Sequence, residues 1–329
     1  MASFDVMPDV QLYQPAELDD ALNLADRFAD DGWLLGGGQD TYGWLKDRAK
    51  HPQAMIDLNG IEALRGVRET GDGIEIGAAT TLREIIRDQR IISDYGLLAD
   101  AAATVASPQI RNVGTLGGNL AQDARCWYYR RGLSCYRAGG NTCYADTPDA
   151  MNREHCVFGA SRCVAVSPSD TATAIVALDA TMVVQSVDGE RTIAADDFFV
   201  GPATHITRMT SLEPGEILTA VKIPATWAGK KFYFEKVADR NTWDFALVSI
   251  AVAMSLDGDT IGDSRIVCGG VAATPHRLRN VENAARGKAL SEETVEALAS
   301  LAADGARALN ANQFKLPLME NLVRRAMRA

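Results

Sequence analysis

Apolar residues in the first 120 positions recur first at helical spacing and then at strand spacing. Ala21, Leu22 and Ala25 share one helical face, which predicts a helix that opens near Pro15. Short apolar runs follow, one of them strictly alternating, and predict buried strands. The predicted elements are a helix at 15–28, strands at 33–35, 54–58 and 73–78, a helical stretch after 41, and helices at 81–88 and 96–106. This order predicts an α/β arrangement.

From residue 170 onwards the pattern is mainly that of strands. A helix is predicted at 170–178, strands at 182–187, 216–223, 231–236, 246–255 and 261–268, and helices at 291–308 and 314–328. Strands followed by helices predict an antiparallel sheet with helices on one side, which is an α+β unit.

Residues 121–168, named here the cysteine segment, have an apolar pattern too broken for a helix or a strand. The segment is rich in Arg, Tyr, Gly, Asn and Asp. Five of the six cysteines of the chain lie in it, namely Cys126, Cys135, Cys143, Cys156 and Cys163. A loop this long, without its own hydrophobic core, needs another source of order, such as a bound metal.

Composition and charge narrow the classes of function. The 329 residues are 47% apolar, enough for a sizeable core and two or three domains. A net charge of −10 argues against nucleic-acid or anionic-membrane partners, because both bind a basic face. No basic and apolar leader is visible, and no run reaches the roughly 18 apolar residues that span a bilayer. We therefore expect a cytoplasmic protein, or a periplasmic one only if it is exported with a signal-bearing partner.

The cysteine spacings leave the type of metal open. Reduced cytosolic thiols favour metal binding over disulfides. The successive spacings are nine, eight, thirteen and seven residues, and none forms the C-x-x-C of a zinc ribbon or redox pair. Zinc and an iron–sulfur cluster therefore remain the alternatives, since so dense a set is not expected to be merely buried thiols. His155 is interpreted as a hydrogen-bonding loop residue rather than a ligand.

Two glycine-rich turns are candidates for binding a phosphate group. Gly36, Gly37 and Gly38 follow a predicted strand directly, and Gly117 and Gly118 form a second turn. Glycine lets the backbone approach an anion, and successive N–H groups can converge on it. For each turn alone, an ordinary tight turn is the favoured explanation. Two of them in one α/β region favour a pyrophosphate pocket.

Several motifs, in their order along nearly the whole chain, resemble the FAD-binding subunit of the xanthine dehydrogenase (molybdenum hydroxylase) family. The motifs lie at 33–41, 115–120, 168–170, 214–218, 234–236, 244–246, 269–272 and 314–317. The resemblance implies an α+β fold: a two-part FAD-binding domain of the vanillyl-alcohol-oxidase (PCMH) type, then an α+β C-terminal domain. The implied boundaries are 1–225, with subdomains 1–60 and 61–225 and an insertion at 121–168, and then 226–329.

The insertion resembles one branch of that family, in which the flavin subunit also carries a [4Fe-4S] cluster. That branch includes the medium subunits of 4-hydroxybenzoyl-CoA reductase and of a periplasmic aldehyde oxidoreductase. The resemblance implies four ligands, Cys126, Cys135, Cys143 and Cys163, and leaves Cys156 as the spare. The gap between Cys126 and Cys135 resembles that of the aldehyde enzyme more than the longer gap of the reductase.

The resemblance also implies the FAD contacts. They are Leu34, Leu35, Gly36, Gly37, Gly38, Gln39, Asp40, Thr41, Thr115, Gly117, Gly118, Asn119, Asp123, Asp170, Leu218 and Lys236. Backbone N–H groups of the two glycine turns are expected to hold the pyrophosphate and the ribityl chain. Lys236 is expected to place a positive charge near the reduced isoalloxazine. Without the resemblance, Lys236 is interpreted as a solvated lysine at the end of a strand.

The function implied by the resemblance is electron transfer, with no catalytic residue on this chain beyond FAD. A large partner subunit holds a molybdenum cofactor and turns over the substrate, and a small partner holds [2Fe-2S] clusters, in a heterotrimer or a dimer of heterotrimers. An external carrier, such as ferredoxin or NAD, donates or accepts the electrons. The expected complex resembles 4-hydroxybenzoyl-CoA reductase, or alternatively an aldehyde or N-heterocycle oxidoreductase. A zinc-stabilised, non-catalytic assembly subunit is the alternative from another class, and the intact glycine turns argue against it.

Overall fold

The structure is a computed structural model that describes residues 9–329, which form three β-sheets with helices between them. The strands are β1 (Gln11–Tyr13), β2 (Gly32–Leu35), β3 (Ala54–Asp57), β4 (Val67–Thr70), β5 (Gly73–Gly77), β6 (Thr181–Ser186), β7 (Gly189–Ala194), β8 (Ile217–Pro224), β9 (Lys231–Val237), β10 (Val248–Asp257), β11 (Thr260–Gly269) and β12 (His276–Arg277). In this part of the chain no helix is long and apolar enough to cross a membrane.

Most helices lie close to the predicted positions, with several short additions, but the helix predicted at 291–308 ends at Ser300. They are α1 (Leu18–Phe28), α2 (Thr41–Lys46), α3 (Leu82–Arg87), α4 (Gln89–Asp94), α5 (Gly96–Ala103), α6 (Pro108–Arg111), α7 (Leu116–Leu120), α8 (Trp127–Arg130), α9 (Asp170–Ala177), α10 (Ala195–Phe198), α11 (Arg279–Ala285), α12 (Glu292–Ser300) and α13 (Lys315–Arg328). The second glycine turn of the sequence lies inside α7.

The first sheet is parallel, in the order β1-β3-β2, and positions the first glycine turn. Ala21, Leu22 and Ala25 of α1 are buried with Ile56 of β3, as the helical spacing predicts. Because the strands are parallel, the carboxyl ends of β2 and β3 lie at the same edge. There the Asn59 side chain donates a 2.5 Å hydrogen bond to the carbonyl of Gly36, which anchors the turn after β2.

The second sheet is antiparallel, in the order β4-β5-β8-β6-β7. The predicted strand at 73–78 is β5 of this sheet and pairs with β8, which begins 140 residues after β5 ends. Ile76, Met182 and Val221 form the centre of the main core, together with α3, α5 and α9. The sheet thus brings α9 and its Asp170 close to the glycine-rich region.

The third sheet is antiparallel, in the order β12-β11-β10-β9, and helices cover both of its faces rather than the one face predicted. Val248, Ile250 and Val252 of β10 pack against α11, α12 and α13. Ala251 and Ala253, which point the other way, pack against the core that contains α5 and α9. Residues 250–254 of β10 are five consecutive apolar residues, and such a run is typical of a strand buried on both faces. The uninterrupted apolar run of β10 therefore indicated that both faces of the third sheet are buried.

The cysteine segment is mostly loop, as predicted, and hydrogen bonds from the C-terminal region hold it. The Asn312 side chain donates to the carbonyls of His155, at 3.0 Å, and Cys156, at 3.1 Å. Asn152 donates to Asn310, and its own side-chain oxygen accepts from the N–H of Ala311 at 3.1 Å. The C-terminal domain therefore fixes a segment that has only small apolar clusters of its own.

Candidate functional site: adjoining cavities

A cavity of about 470 Å³ lies where the first glycine turn, α7, the N-terminus of α9 and the loops at 207–212 and 243–245 meet. Most of the residues expected to contact FAD line it. They are Leu34, Gly36, Gly37, Gly38, Gln39, Asp40, Thr41, Thr115, Gly118, Asn119, Asp123 and Asp170. Leu35 and Leu218 are instead buried in the protein core. We name this space the large cavity; its volume is in the range of cofactor sites.

The two glycine turns contact each other at the wall of the large cavity. A Cβ atom on Gly37 would lie 2.1 Å from the carbonyl oxygen of Val113, and one on Gly36 would lie 2.7 Å from Thr115 Oγ1. Side chains are therefore excluded at both positions. The N–H groups of Gly37 and Gly38 make no hydrogen bond to any residue within 9–329. Bare backbone with free donors on a cavity wall fits the pyrophosphate of FAD.

The glycines of α7 have different roles. Thr115 caps this helix by accepting a 3.1 Å hydrogen bond from the N–H of Gly118, which lines the large cavity. Gly117 faces Ala78 instead: its N–H donates to the Ala78 carbonyl at 2.8 Å, and a Cβ would lie 2.9 Å from Ala78 Cβ. Gly117 thus serves close packing, whereas Gly118 serves the cavity.

Asn119 ties α7 to the start of α9. Its side-chain oxygen accepts hydrogen bonds from Ser169 Oγ, at 2.7 Å, and Thr171 Oγ1, at 2.6 Å. Ser169 also caps α9 by accepting from the N–H of Ala172 at 3.1 Å. These contacts hold Asp170, the first residue of α9, at the cavity wall.

Asp170 and Lys236 form a buried ion pair. Lys236 Nζ lies 2.6 Å from Asp170 Oδ2 and also donates to the carbonyls of Thr104, at 3.1 Å, and Asp244, at 2.8 Å. Burial raises the pKa of Asp170 to about 6, against the opposing charge of Lys236, so the carboxylate is ionised at neutral pH. Lys236 is therefore not a solvated lysine. It stands behind Asp170 and outside the lining of the cavity.

Asp123 joins the large cavity to the cysteine segment. Its carboxylate accepts from Arg137 Nη2 at 2.6 Å and lies 3.0 Å from Lys50 Nζ. Burial alone would raise the pKa of Asp123, but Arg137 and Lys50 hold it below its ordinary value. Because Arg137 belongs to the cysteine segment and Asp123 lines the large cavity, this pair fixes one site relative to the other.

A second, smaller cavity is lined by Cys126, Cys135, Cys143 and Cys163, together with His155. We name it the cysteine cavity. All four cysteines are free thiols. Burial, and the nearby Cys163 and Cys143, raise the pKa of Cys126 to about 11, so a thiolate here requires a nearby positive charge. Within residues 9–329, no three His, Cys, Asp or Glu side chains are arranged to hold one metal ion.

Cys156 lies outside the lining of the cysteine cavity. It is buried in a small apolar cluster with Ala145 and Val164. Burial raises its pKa to about 12, as expected of a thiol that packs as a small apolar group. Cys126 and Cys143 pack against this cluster, so Cys156 lies next to the cysteine cavity without lining it.

A third space lies next to both cavities. Arg125, Asp170 and Phe245 line both it and the large cavity, whereas Cys126 and His155 line both it and the cysteine cavity. The N-terminal part of the cysteine segment therefore runs directly from one site to the other. Arg125 pairs with Asp40 at the glycine turn and stacks on Phe245 at 4.8 Å.

Some residues that line the large cavity lie outside all the sequence motifs. They are Thr207, Arg208, Met209, Thr210 and Trp243. They lie in loops, and their approach to the cavity depends on tertiary contacts. Trp243 has a positive φ of 57° and donates its N–H to the Ala106 carbonyl at 2.8 Å. No periodic pattern in the sequence identifies such a position.

Comparisons with known proteins were consistent along nearly the whole chain. Residues 8–226 match the model for the FAD binding domain in molybdopterin dehydrogenase, and residues 233–329 match the CO dehydrogenase flavoprotein C-terminal domain. The carbon monoxide dehydrogenase medium chain of Hydrogenophaga pseudoflava is 30% identical, over 98% of each chain. The aldehyde oxidoreductase FAD-binding subunit of Escherichia coli is 34% identical, over 74% of this chain and 76% of its own.

Solved structures share the architecture. The carbon monoxide dehydrogenase from Hydrogenophaga pseudoflava that lacks the Mo-pyranopterin moiety has a TM-score of 0.78 at 29% identity, covering 98% of both chains. Quinoline 2-oxidoreductase from Pseudomonas putida has a TM-score of 0.76 at 25% identity, covering 98% of this chain and 97% of its own. The expected fold is therefore confirmed. So is the expectation of an oxidoreductase subunit, because the relatives are dehydrogenase and oxidoreductase subunits.

Proposed function

This chain belongs to the FAD-binding medium subunits of the molybdenum hydroxylase family, which includes carbon monoxide dehydrogenases and aldehyde oxidoreductases, and we propose that it also carries a [4Fe-4S] cluster. In this proposal residues 1–225 form the flavin domain, with the cysteine segment inserted, and residues 226–329 form the C-terminal domain. A large partner subunit binds the molybdenum cofactor, and a small partner binds [2Fe-2S] clusters. This chain relays electrons between that small partner and an external carrier.

The observation that carries the proposal is that four of the five cysteines of the segment line one cavity. Cys126, Cys135, Cys143 and Cys163 line one cavity, and Cys156 does not. Four cysteine ligands are what a [4Fe-4S] cluster needs, and each binds a different iron, so the sulfurs need not surround a single ion. The cysteine cavity is joined to the large cavity through the neighbourhood of Cys126. One-electron carriers in both places would then be close neighbours.

The residues of the chain have defined tasks in this proposal. The free N–H groups of the first glycine turn bind the pyrophosphate of FAD. Gly118 of α7, whose own N–H is paired with Thr115, lines the cavity beside them, and the Asp170–Lys236 pair fixes the wall at the start of α9. Four thiolates bind iron. The ion pair of Asp123 with Arg137 fixes the position of the cluster site relative to the flavin site. FAD supplies two-electron and one-electron chemistry, and an iron–sulfur cluster supplies one-electron transfer. The substrate is bound by the large partner subunit.

The identity of the substrate is a separate part of the proposal. The likeness of the cysteine segment to the 4-hydroxybenzoyl-CoA reductase subunit remains a prediction. Its cysteine gap and the 34% identical aldehyde oxidoreductase subunit support an aldehyde-oxidising complex as the alternative. Turnover by the purified complex with aldehydes, N-heterocycles and aromatic acyl-CoA esters separates these classes, because each requires a different pocket on the molybdenum-bearing partner.

The cofactor content of the purified full chain tests the proposal. Anaerobically purified protein is expected to show flavin absorption bands with a broad visible shoulder that bleaches with dithionite, together with bound FAD, iron and acid-labile sulfide. A colourless protein that contains zinc would contradict the proposal and support the assembly-subunit alternative. A yellow protein with FAD and no iron would refute the cluster while leaving the family assignment intact.

A further inference from the structure

His155 is the polar side chain that contacts the sulfur of Cys126. Its Nε2 atom lies 3.3 Å from Cys126 Sγ, within the range of a hydrogen bond to sulfur. The imidazole is buried, with 4% of its surface exposed, and lines the cysteine cavity. Cys126 is the proposed ligand that also borders the space leading to the large cavity. His155 therefore acts at the point where the two proposed redox sites approach each other.

The direction of this hydrogen bond follows from the partners of the ring. The other ring nitrogen, Nδ1, is buried and has no hydrogen-bond partner among the described residues. A thiolate sulfur has no hydrogen and can only accept. Whether the ring is neutral or protonated, the contact therefore requires the hydrogen on Nε2. Once Cys126 binds iron as a thiolate, His155 is therefore the donor in this contact.

The position of the ring is set by the backbone around it. The N–H of His155 donates to the Asn152 carbonyl at 3.1 Å, and its carbonyl accepts from the buried Asn312 side chain at 3.0 Å. Asn312 is in turn held by the N–H of Leu309, which donates to its side-chain oxygen at 2.6 Å. Contacts from the C-terminal domain thus hold the imidazole against Cys126 before any cofactor binds. This preorganisation is what a positioning residue requires.

We propose that His155 is a hydrogen-bond donor that raises the midpoint potential of the cluster bound through Cys126, without being a ligand. The inference rests on the proposed [4Fe-4S] cluster. Reduction adds negative charge to a cluster, and part of that charge lies on the ligand sulfurs. A donated hydrogen bond stabilises the reduced form more than the oxidised form, and so makes the potential less negative.

The test compares His155→Leu with His155→Gln in the full chain, by electron paramagnetic resonance during an anaerobic potentiometric titration. Leu removes the donor, whereas Gln has a similar size and keeps a side-chain N–H. We expect His155→Leu to keep its FAD and iron and to show a more negative cluster potential. His155→Gln is expected to return the potential towards the wild-type value. The flavin potential, measured in the same titration, should not change.

Other outcomes have defined meanings. An unchanged cluster potential in His155→Leu would overturn the inference, and so would loss of iron in both variants, because the ring would then be a ligand or a structural support. Loss of iron in His155→Leu alone would also overturn the inference, because the side chain would then be needed to hold the cluster rather than to set its potential. Wild-type protein with FAD and no cluster signal would refute the proposed function, and this result is obtained before any variant is compared.

Discussion

The ammonium of Lys236 lies 2.6 Å from the carboxylate of Asp170, and both side chains are at least nine-tenths buried. Both residues were expected beside the flavin, but only Asp170 lines the cavity. Lys236 is saturated by Asp170 and two backbone carbonyls. The charge of Lys236 therefore affects the cavity only through Asp170. The ion pair neutralises the Asp170 carboxylate and holds it in one position at the cavity wall.

Asp170→Asn is predicted to destabilise the protein by about 3–5 kcal/mol, because the buried ammonium of Lys236 loses the countercharge with which it pairs. Chemical denaturation of the wild type and the variant measures the change. Asp239→Asn is the matched control, since it breaks the exposed pair with Arg153, and it is expected to change little. Adding Lys236→Met to Asp170→Asn should restore most of the stability. A lone Asp170→Asn variant as stable as the control would contradict this account of the pair.

Gly37→Ala is predicted to abolish tight FAD binding while leaving the rest of the chain folded. The new methyl group would lie 2.1 Å from the Val113 carbonyl, so the two glycine turns must separate. We expect the affinity for FAD to fall at least about tenfold, which corresponds to about 1.4 kcal/mol. Fluorescence quenching on FAD titration of apoprotein measures it.

Gly71→Ala is the control for that change, because an added Cβ at Gly71 meets nothing within 4 Å. It should bind FAD like the wild type. Equal affinities of Gly37→Ala and Gly71→Ala would show that the contact between the turns does not shape the cofactor site.

Stability is predicted to fall as the pH drops from about 6.5 to about 4, in part because of His276. Burial lowers the pKa of His276 to about 4, whereas in the unfolded chain it has its ordinary value of about 6.5. In this window the unfolded chain takes up a proton that the folded protein does not, which costs up to about 3 kcal/mol at the acid end.

His276→Phe isolates this contribution. His276 stacks on Phe158 with ring centroids 4.0 Å apart, and phenylalanine keeps the stacking without a titratable group. Free energies of unfolding at pH 7 and pH 4.5 should differ less in the variant than in the wild type. Identical pH dependence in the two proteins would rule out a buried, neutral His276.

Asn312→Ala is predicted to lower iron content while FAD is retained. Its side chain donates to the carbonyls of His155 and Cys156, and leaving buried acceptors unpaired costs about 1–3 kcal/mol. The loss falls on the cysteine segment rather than on the glycine turns. Gln313→Ala, which removes an exposed contact to the Asn310 carbonyl, is the neighbouring control and should keep its iron. Equal iron in both variants would contradict the clamping role of Asn312.

The sequence predicted the helices and strands well where one periodicity dominated, as in α1 and β10. It also indicated both glycine turns, because two such turns in one α/β region favour a shared phosphate pocket. It could not show that Gly117 serves packing and Gly118 the cavity, since that distinction depends on the approach of Ala78. The double-sided burial of the third sheet was missed, although the apolar run of β10 contained the signal.

Pairings between distant residues were beyond the sequence. Asp170 and Lys236 are 66 positions apart, and Asn312 meets His155 across 157 positions. Trp243 reaches the large cavity from an irregular loop. Each of these contacts is created by the packing of sheets and helices, so no local pattern of residues records it. The grouping of four cysteines without Cys156 was expected from resemblance, and the lining of the cysteine cavity supports it.

The iron content of two alanine variants tests the central claim most directly. Cys135 lines the cysteine cavity, whereas Cys156 is buried beside it in an apolar cluster. Anaerobically purified Cys135→Ala is predicted to lose the cluster and its reduced-state resonance signal while retaining FAD, and Cys156→Ala is predicted to keep the full iron and sulfide content of the wild type. Loss of the cluster in Cys156→Ala, with retention in Cys135→Ala, would contradict the assignment of the ligands.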